Sequence, residues 1–155
     1  MARVCVIDDD PDFRALLVRY LQKAGYQVTE AADGREGRAS ILASPPDLVI
    51  TDLAMPEESG IELLVAVKRK HPDLPVMVVT GEGRPITVAL DLARRNGADA
   101  MLGKPLARGP LLSLVERLLA GERPHAEPLD LSPEADDGVY MIMPPNLLRE
   151  KVRGR

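Results

Sequence analysis

The chain has 155 residues, of which 45% are apolar and 28% charged, so we expect one globular domain with a tail. A net charge of −4 and an aromatic content of 3% argue against a nucleic-acid-binding surface, which is typically basic and often stacks bases on aromatic rings. No apolar run approaches the roughly 20 residues of a membrane helix. The first apolar run is too short for a signal peptide, so we expect a cytoplasmic protein that does not bind membranes.

Short apolar runs alternate with longer amphipathic segments up to Gly121. Each amphipathic segment carries apolar residues at helical spacing, and several begin with a capping residue such as Asp10 or Asp33. The predicted strands are at about 4–7, 26–30, 48–51, 76–79 and 98–102, and the predicted helices at about 11–24, 34–44, 61–70, 85–96 and 107–120. This alternation predicts an α/β fold in which a five-stranded parallel sheet carries helices on both faces.

Polar side chains follow four of the five predicted strands. Asp8 and Asp9 follow the first strand, Asp52 the third, Thr80 the fourth and Lys104 the fifth. The crevice of such a sheet lies beyond the carboxyl ends of its strands, so we expect these side chains to converge at one edge. Each of these side chains, taken alone, is explained without any function, for example as an ordinary solvated residue. Their common position at one sheet edge favours a functional site.

The residue types in this cluster indicate phosphoryl chemistry. Three carboxylates are ionised at neutral pH and repel one another unless cations compensate them. The charges of one Mg²⁺ ion, one lysine and three carboxylates sum to zero, the residues being Lys104, Asp8, Asp9 and Asp52. A metal and a lysine also neutralise phosphoryl oxygens, and Asp52, alone on its strand, is the candidate nucleophile. Thr80 is a candidate hydrogen-bond donor to a phosphoryl oxygen.

These residues, with the segments 51–56, Thr80-Gly81 and Lys104-Pro105, resemble the receiver domain of two-component response regulators. The resemblance covers about residues 3–121. It implies a flavodoxin-like fold with strand order 2-1-3-4-5, and phosphorelay signalling in which Asp52 accepts a phosphoryl group from a histidine kinase or phosphotransfer protein.

The resemblance also implies roles for individual residues. Asp9, Asp52 and the backbone carbonyl of Ala54 would bind Mg²⁺ directly, and Asp8 would act partly through water. Lys104 would contact the phosphoryl group, and the Lys104–Pro105 bond is a candidate cis peptide.

This sequence departs from the family pattern at one switch position. The residue three before the lysine is usually an aromatic that changes rotamer together with the threonine, here Thr80, on phosphorylation. In this chain it is Met101, which has neither a ring nor a hydroxyl group. The expected output is altered affinity for a downstream protein target, with a phosphorylation-dependent homodimer as a further expected state. No enzymatic turnover is expected beyond the domain's own phosphorylation and dephosphorylation.

Two alternative functions stay open. One is a receiver-like interaction module that no longer depends on phosphorylation. The other is a phosphatase of the haloacid-dehalogenase type, since Asp8-x-Asp10 matches the first motif of that class superficially. However, Asp12 stands where those enzymes usually have Thr or Val, and no acidic pair follows Lys104 at the end of a predicted strand.

Residues 122–155 differ in composition from the predicted domain at 1–121. Residues 122–138 are rich in Pro, Glu and Asp, which is typical of a linker, and no output domain of recognisable size follows. The apolar run 139–143 is either part of a mobile tail or packs on the receiver or a partner, for example as an added edge strand. A short helix is predicted at 147–152. A further alternative for the whole chain is that it is a fragment of a longer protein.

Overall fold

The computed structural model describes residues 1–53, 55, 58–81, 86–104, 107–121 and 139–141. Five strands alternate with five helices, and a sixth strand follows. The elements are β1 (Arg3–Ile7), α1 (Pro11–Lys23), β2 (Gln27–Ala31), α2 (Gly34–Ala43), β3 (Leu48–Asp52), α3 (Gly60–Lys70), β4 (Val76–Thr80), α4 (Ile86–Arg95), β5 (Ala100–Gly103), α5 (Arg108–Leu119) and β6 (Val139–Met141).

The strands form one sheet in the order β2-β1-β3-β4-β5-β6. Its first five strands are parallel, which confirms the predicted fold class and strand order. Apolar residues of β1, β3, β4 and β5 point alternately into two cores. One core lies under α2, α3 and α4, and the other lies under α1 and α5. Helices therefore cover both faces, as the near-continuous apolar strands predicted.

Local capping explains where several helices begin. The side chain of Asp10 accepts hydrogen bonds from the backbone N–H groups of Asp12 and Phe13, and Pro11 occupies the first helical position of α1. Asp33 and Ser59 cap α2 and α3 in the same way. These caps fix the point at which the chain turns away from the carboxyl edge of the sheet.

The predicted start of β5 at residue 98 is wrong by two positions. The carboxylate of Asp99 accepts hydrogen bonds from the Val76 N–H at 2.8 Å and from Lys68 Nζ at 2.7 Å. These contacts of the buried Asp99 connect the turn before β5 to the start of β4 and the end of α3, so regular pairing begins only at Ala100.

The sixth strand extends the sheet beyond the five parallel strands that the sequence predicted. β6 pairs antiparallel with β5, so that Met141, Tyr140 and Val139 lie opposite Ala100, Met101 and Leu102. Residues 139–141 therefore occupy the sheet edge, which is one of the alternatives that the sequence left open. The predicted helix at 147–152 lies outside the described residues. Among the described helices, none combines the length and apolarity needed to cross a membrane.

Candidate phosphoacceptor site

Three acidic side chains meet at the carboxyl edge of the central strands. Asp8 follows β1 and is 1% exposed, while Asp9 beside it is exposed to solvent. Asp52 is the last residue of β3 and is 8% exposed. Carboxylate oxygens of the three residues lie within 4.8 Å of one another. Because β1 and β3 are parallel neighbours, their ends bring distant sequence positions together.

Lys104 brings a positive charge into this acidic cluster. Its Nζ lies 3.2 Å from Asp52 Oδ2 and 3.2 Å from Asp8 Oδ2. The Lys104 N–H donates to the carbonyl of Thr80 at 2.8 Å, which fixes the backbone directly after β5. A Cβ atom on Gly81 would lie 3.1 Å from Lys104 Cδ, so the glycine leaves room for the lysine side chain.

The charges of the cluster shift the pKa values of Asp8 and Lys104. Burial raises the pKa of Asp8, and the charge of Asp52 acts in the same direction, whereas the hydrogen bond from the Asp10 N–H and the charge of Lys104 act against it. Burial acts to lower the pKa of Lys104, but the charges of Asp52 and Asp8 outweigh it, so this pKa is raised. The site therefore holds a charged lysine and favours further positive charge beside Asp8.

A divalent cation fits the residues present. Three carboxylates supply the hard oxygen ligands that Mg²⁺ prefers. Within the described residues, the buried Asp8 Oδ2 lies at ion-pair distance from Lys104 but accepts no hydrogen bond of good geometry. Such an oxygen is available to a metal or to a metal-bound water.

The other predicted site residues lie at or beside the same edge. Thr80 is the last residue of β4 and is 5% exposed; its backbone pairs with Gly103, next to Lys104. Met101 is fully buried within β5, two residues before the edge of the strand, and packs in the core under α2, α3 and α4. The predicted backbone ligand at Ala54 and the candidate cis peptide at Pro105 lie outside the described residues.

Two residues of the first turn of α1 contribute contacts that sequence reasoning missed. Arg14 Nη1 donates to the carbonyl of Asp8 at 2.6 Å and thereby orders the acidic turn. The ring of Phe13 lies beneath Lys104 Nζ, 4.1 Å from its centroid. Helical periodicity assigns Phe13 to the apolar face of α1, and nothing in that pattern indicates a lysine from another element.

Comparisons with known proteins agree with this fold. A family model described as the response regulator receiver domain matches residues 4–116. The response regulator receiver protein CpdR of Brucella abortus is 37% identical over 120 residues, which cover 77% of this chain and 98% of the relative. The structure of the chemotaxis protein CheY4 of Vibrio cholerae has a TM-score of 0.69 and 33% identity, covering 76% of this chain and 98% of its own.

A longer relative matches over more of this chain. The DNA-binding transcriptional regulator NtrC of Rhizobium meliloti is 33% identical over 141 residues, covering 91% of this chain but only 28% of the relative. The chain thus spans less than a third of that regulator.

The fold and the acidic edge define a doubly wound α/β domain with a cluster of carboxylates at the carboxyl ends of its strands. The chain belongs to the response regulator receiver domain family.

Proposed function

We propose that this chain is a phosphoacceptor of a two-component phosphorelay and that Asp52 receives the phosphoryl group. The donor would be the phosphohistidine of a histidine kinase or phosphotransfer protein. One observation carries the proposal: the Asp52 carboxylate lies 3.2 Å from Lys104 Nζ in a cluster with Asp8 and Asp9, where nucleophile and countercharge are already assembled.

The transfer is a displacement at phosphorus. A carboxylate oxygen of Asp52 forms a bond to phosphorus while the phosphorus–nitrogen bond to the donor histidine breaks, and its electron pair returns to the imidazole ring. Lys104 neutralises charge that develops on the phosphoryl oxygens. The Lys104 ammonium group also lies beside the acyl phosphate when water later attacks the phosphorus. The domain therefore contributes to both its phosphorylation and its dephosphorylation.

Mg²⁺ is the proposed cofactor. Asp8, Asp9 and Asp52 would hold it, together with the backbone carbonyl of Ala54, and when bound it would neutralise the carboxylates and the phosphoryl oxygens. Among the described residues, the buried Asp8 Oδ2 lies 3.2 Å from Lys104 Nζ but accepts no hydrogen bond of good geometry, which supports this assignment.

The proposed output is a change in affinity for a downstream protein. Phosphorylation adds negative charge beside Lys104 and places a hydrogen-bond acceptor near Thr80. The Thr80 carbonyl already binds the Lys104 N–H, so movement of either residue is passed to β5 and the buried Met101. The surface over β5 would then favour a partner or a second copy of the chain.

The phosphatase alternative has less support. A phosphatase that uses the Asp8-x-Asp10 motif needs the Asp10 carboxylate for chemistry. Here Asp10 Oδ1 is engaged by the backbone N–H groups of Asp12 and Phe13 as the cap of α1. A residue used to hold the helix start is poorly placed for proton transfer, which favours signalling over turnover.

Labelling with a small phosphodonor and MgCl₂ tests the proposal. We expect the purified chain to gain one phosphoryl group, detected by intact mass, and Asp52→Asn to gain none. Asp91→Asn is the matched control, because Asp91 pairs with Arg94 and Arg95 on α4, away from the acidic cluster. Equal labelling of Asp52→Asn and the wild-type chain would refute the assignment, and continuous release of phosphate from an external ester would support a phosphatase.

A further inference from the structure

The ammonium group of Lys104 rests on an aromatic ring. Lys104 Nζ lies 4.1 Å from the centroid of Phe13. The same nitrogen lies 3.2 Å from an oxygen of Asp8 and 3.2 Å from an oxygen of Asp52. Two carboxylates and one ring face therefore surround the cation.

The acidic turn itself fixes the position of the ring. The Asp10 N–H donates to Asp8 Oδ1 at 2.9 Å, and Asp10 Oδ1 accepts from the Phe13 N–H at 3.3 Å. The Phe13 side chain is half-buried and packs against the core under α1 and α5. Backbone capping on one side and core packing on the other hold the ring beside the cluster.

A ring in this position restrains a side chain that is otherwise free to leave. A lysine has a long flexible stem, and the Lys104 side chain is still 22% exposed. The negative face of an aromatic ring attracts a cation at this distance, and the ring also keeps water from one side of the ammonium group. Without the ring, more Lys104 conformers would point to solvent.

We propose that Phe13 is a positioning residue for phosphoryl transfer: its ring face keeps the Lys104 ammonium turned toward Asp52. This inference rests on the proposed function, because its effect on rate requires Asp52 to accept phosphate. The ring acts through the lysine and touches no reacting atom.

Fluorination provides a test that barely changes the size of the side chain. Phe13 is the only phenylalanine of the chain, so biosynthetic replacement of phenylalanine alters this position alone. Mono-, di- and trifluorinated phenylalanine progressively weaken the negative ring face. With a small phosphodonor, we expect the rate constant for Asp52 phosphorylation to fall stepwise, by about two- to tenfold across the series. A small donor excludes effects on kinase docking.

Two further variants separate the attraction to the cation from simple packing. Phe13→Leu should be as slow as the trifluorinated protein, and Phe13→Tyr should recover most of the wild-type rate because it retains a ring face. Fluorination should also lower the folding equilibrium constant by about two- to fivefold in the wild-type background. It should leave this constant unchanged in Lys104→Met, which has no cation at this position.

The possible outcomes distinguish this inference from the proposed function. A stepwise fall in rate with a Lys104-dependent change in stability supports the role of Phe13. Normal labelling of Asp52 with a rate that is the same across the series overturns that role and leaves the proposed function intact. A failure of every form to label overturns the proposed function, and the role of the ring in transfer with it.

Discussion

Lys104 Nζ and Asp52 Oδ2 lie 3.2 Å apart although 52 positions separate the two residues in the chain. Asp52 ends β3, Lys104 follows β5, and β4 lies between these strands, so the parallel sheet brings the two residues to one edge. The same nitrogen lies equally close to Asp8, which makes Lys104 a shared countercharge for two buried carboxylates.

Removal of this countercharge should weaken the fold when no metal is present. We expect Lys104→Met to lower the free energy of unfolding by about 1–2 kcal/mol at neutral pH, because two carboxylates then repel without compensation. Denaturant unfolding with and without MgCl₂ measures the effect, and added Mg²⁺ should reduce the loss. Lys70→Met, at an exposed position at the end of α3, is the control. An unchanged stability in Lys104→Met would contradict the shared role.

The raised pKa of Asp8 predicts a pH-dependent gain in stability from Asp8→Asn. The folded state binds a proton at Asp8 more tightly than the unfolded state does, so the wild-type free energy of unfolding falls as pH rises through the window above the ordinary carboxyl pKa. We expect the variant to be more stable than the wild type at pH 7, with the difference shrinking as pH falls toward the ordinary carboxyl pKa.

Unfolding curves at several pH values, without metal, measure this difference. Asp12→Asn, on the exposed side of α1, serves as the matched control. A wild-type chain that is more stable than Asp8→Asn at neutral pH would contradict the assigned cause. Added Mg²⁺ should favour the wild type, because a bound cation stabilises the charged carboxylate.

Gly60 should tolerate no side chain. A Cβ atom at this position would collide with the backbone carbonyl of Asp52 and lie 2.8 Å from Leu53 Cα. We therefore expect Gly60→Ala to lower the free energy of unfolding by at least about 2 kcal/mol and to slow phosphorylation, because the backbone at Asp52 must shift. At Gly109 within α5, an added Cβ would meet nothing within 4 Å, so Gly109→Ala should be neutral or stabilising. Equal effects of the two substitutions in denaturant unfolding would contradict this argument.

The edge strand β6 should protect backbone amides of β5. A deletion of residues 122–155 removes the pairing of Met141, Tyr140 and Val139 with β5. We expect faster hydrogen exchange at those β5 amides that face β6, with little change in β1 and β3 in the interior of the sheet. Unchanged exchange at these amides in the truncated protein would argue against the strand pairing.

Sequence patterns predicted the parallel sheet and the convergence of Asp8, Asp9, Asp52 and Lys104, because both follow from apolar periodicity and the rule that strand ends share one edge. Those patterns do not specify individual side-chain contacts away from the strand ends. Helical periodicity does not show, for example, that the Lys68 ammonium donates to the buried Asp99, and this contact precedes the start of β5. The contact of Phe13 with Lys104 likewise depends on side-chain geometry that periodicity does not encode.

The most direct test of the central claim locates the phosphoryl group chemically. After incubation with MgCl₂ and a phosphodonor, borohydride reduction converts an aspartyl phosphate to homoserine, which peptide mass spectrometry can assign to a position. We predict reduction at position 52 alone, and only in protein that was exposed to the donor. Homoserine at another carboxylate, or none in protein that has gained phosphate, would contradict the account.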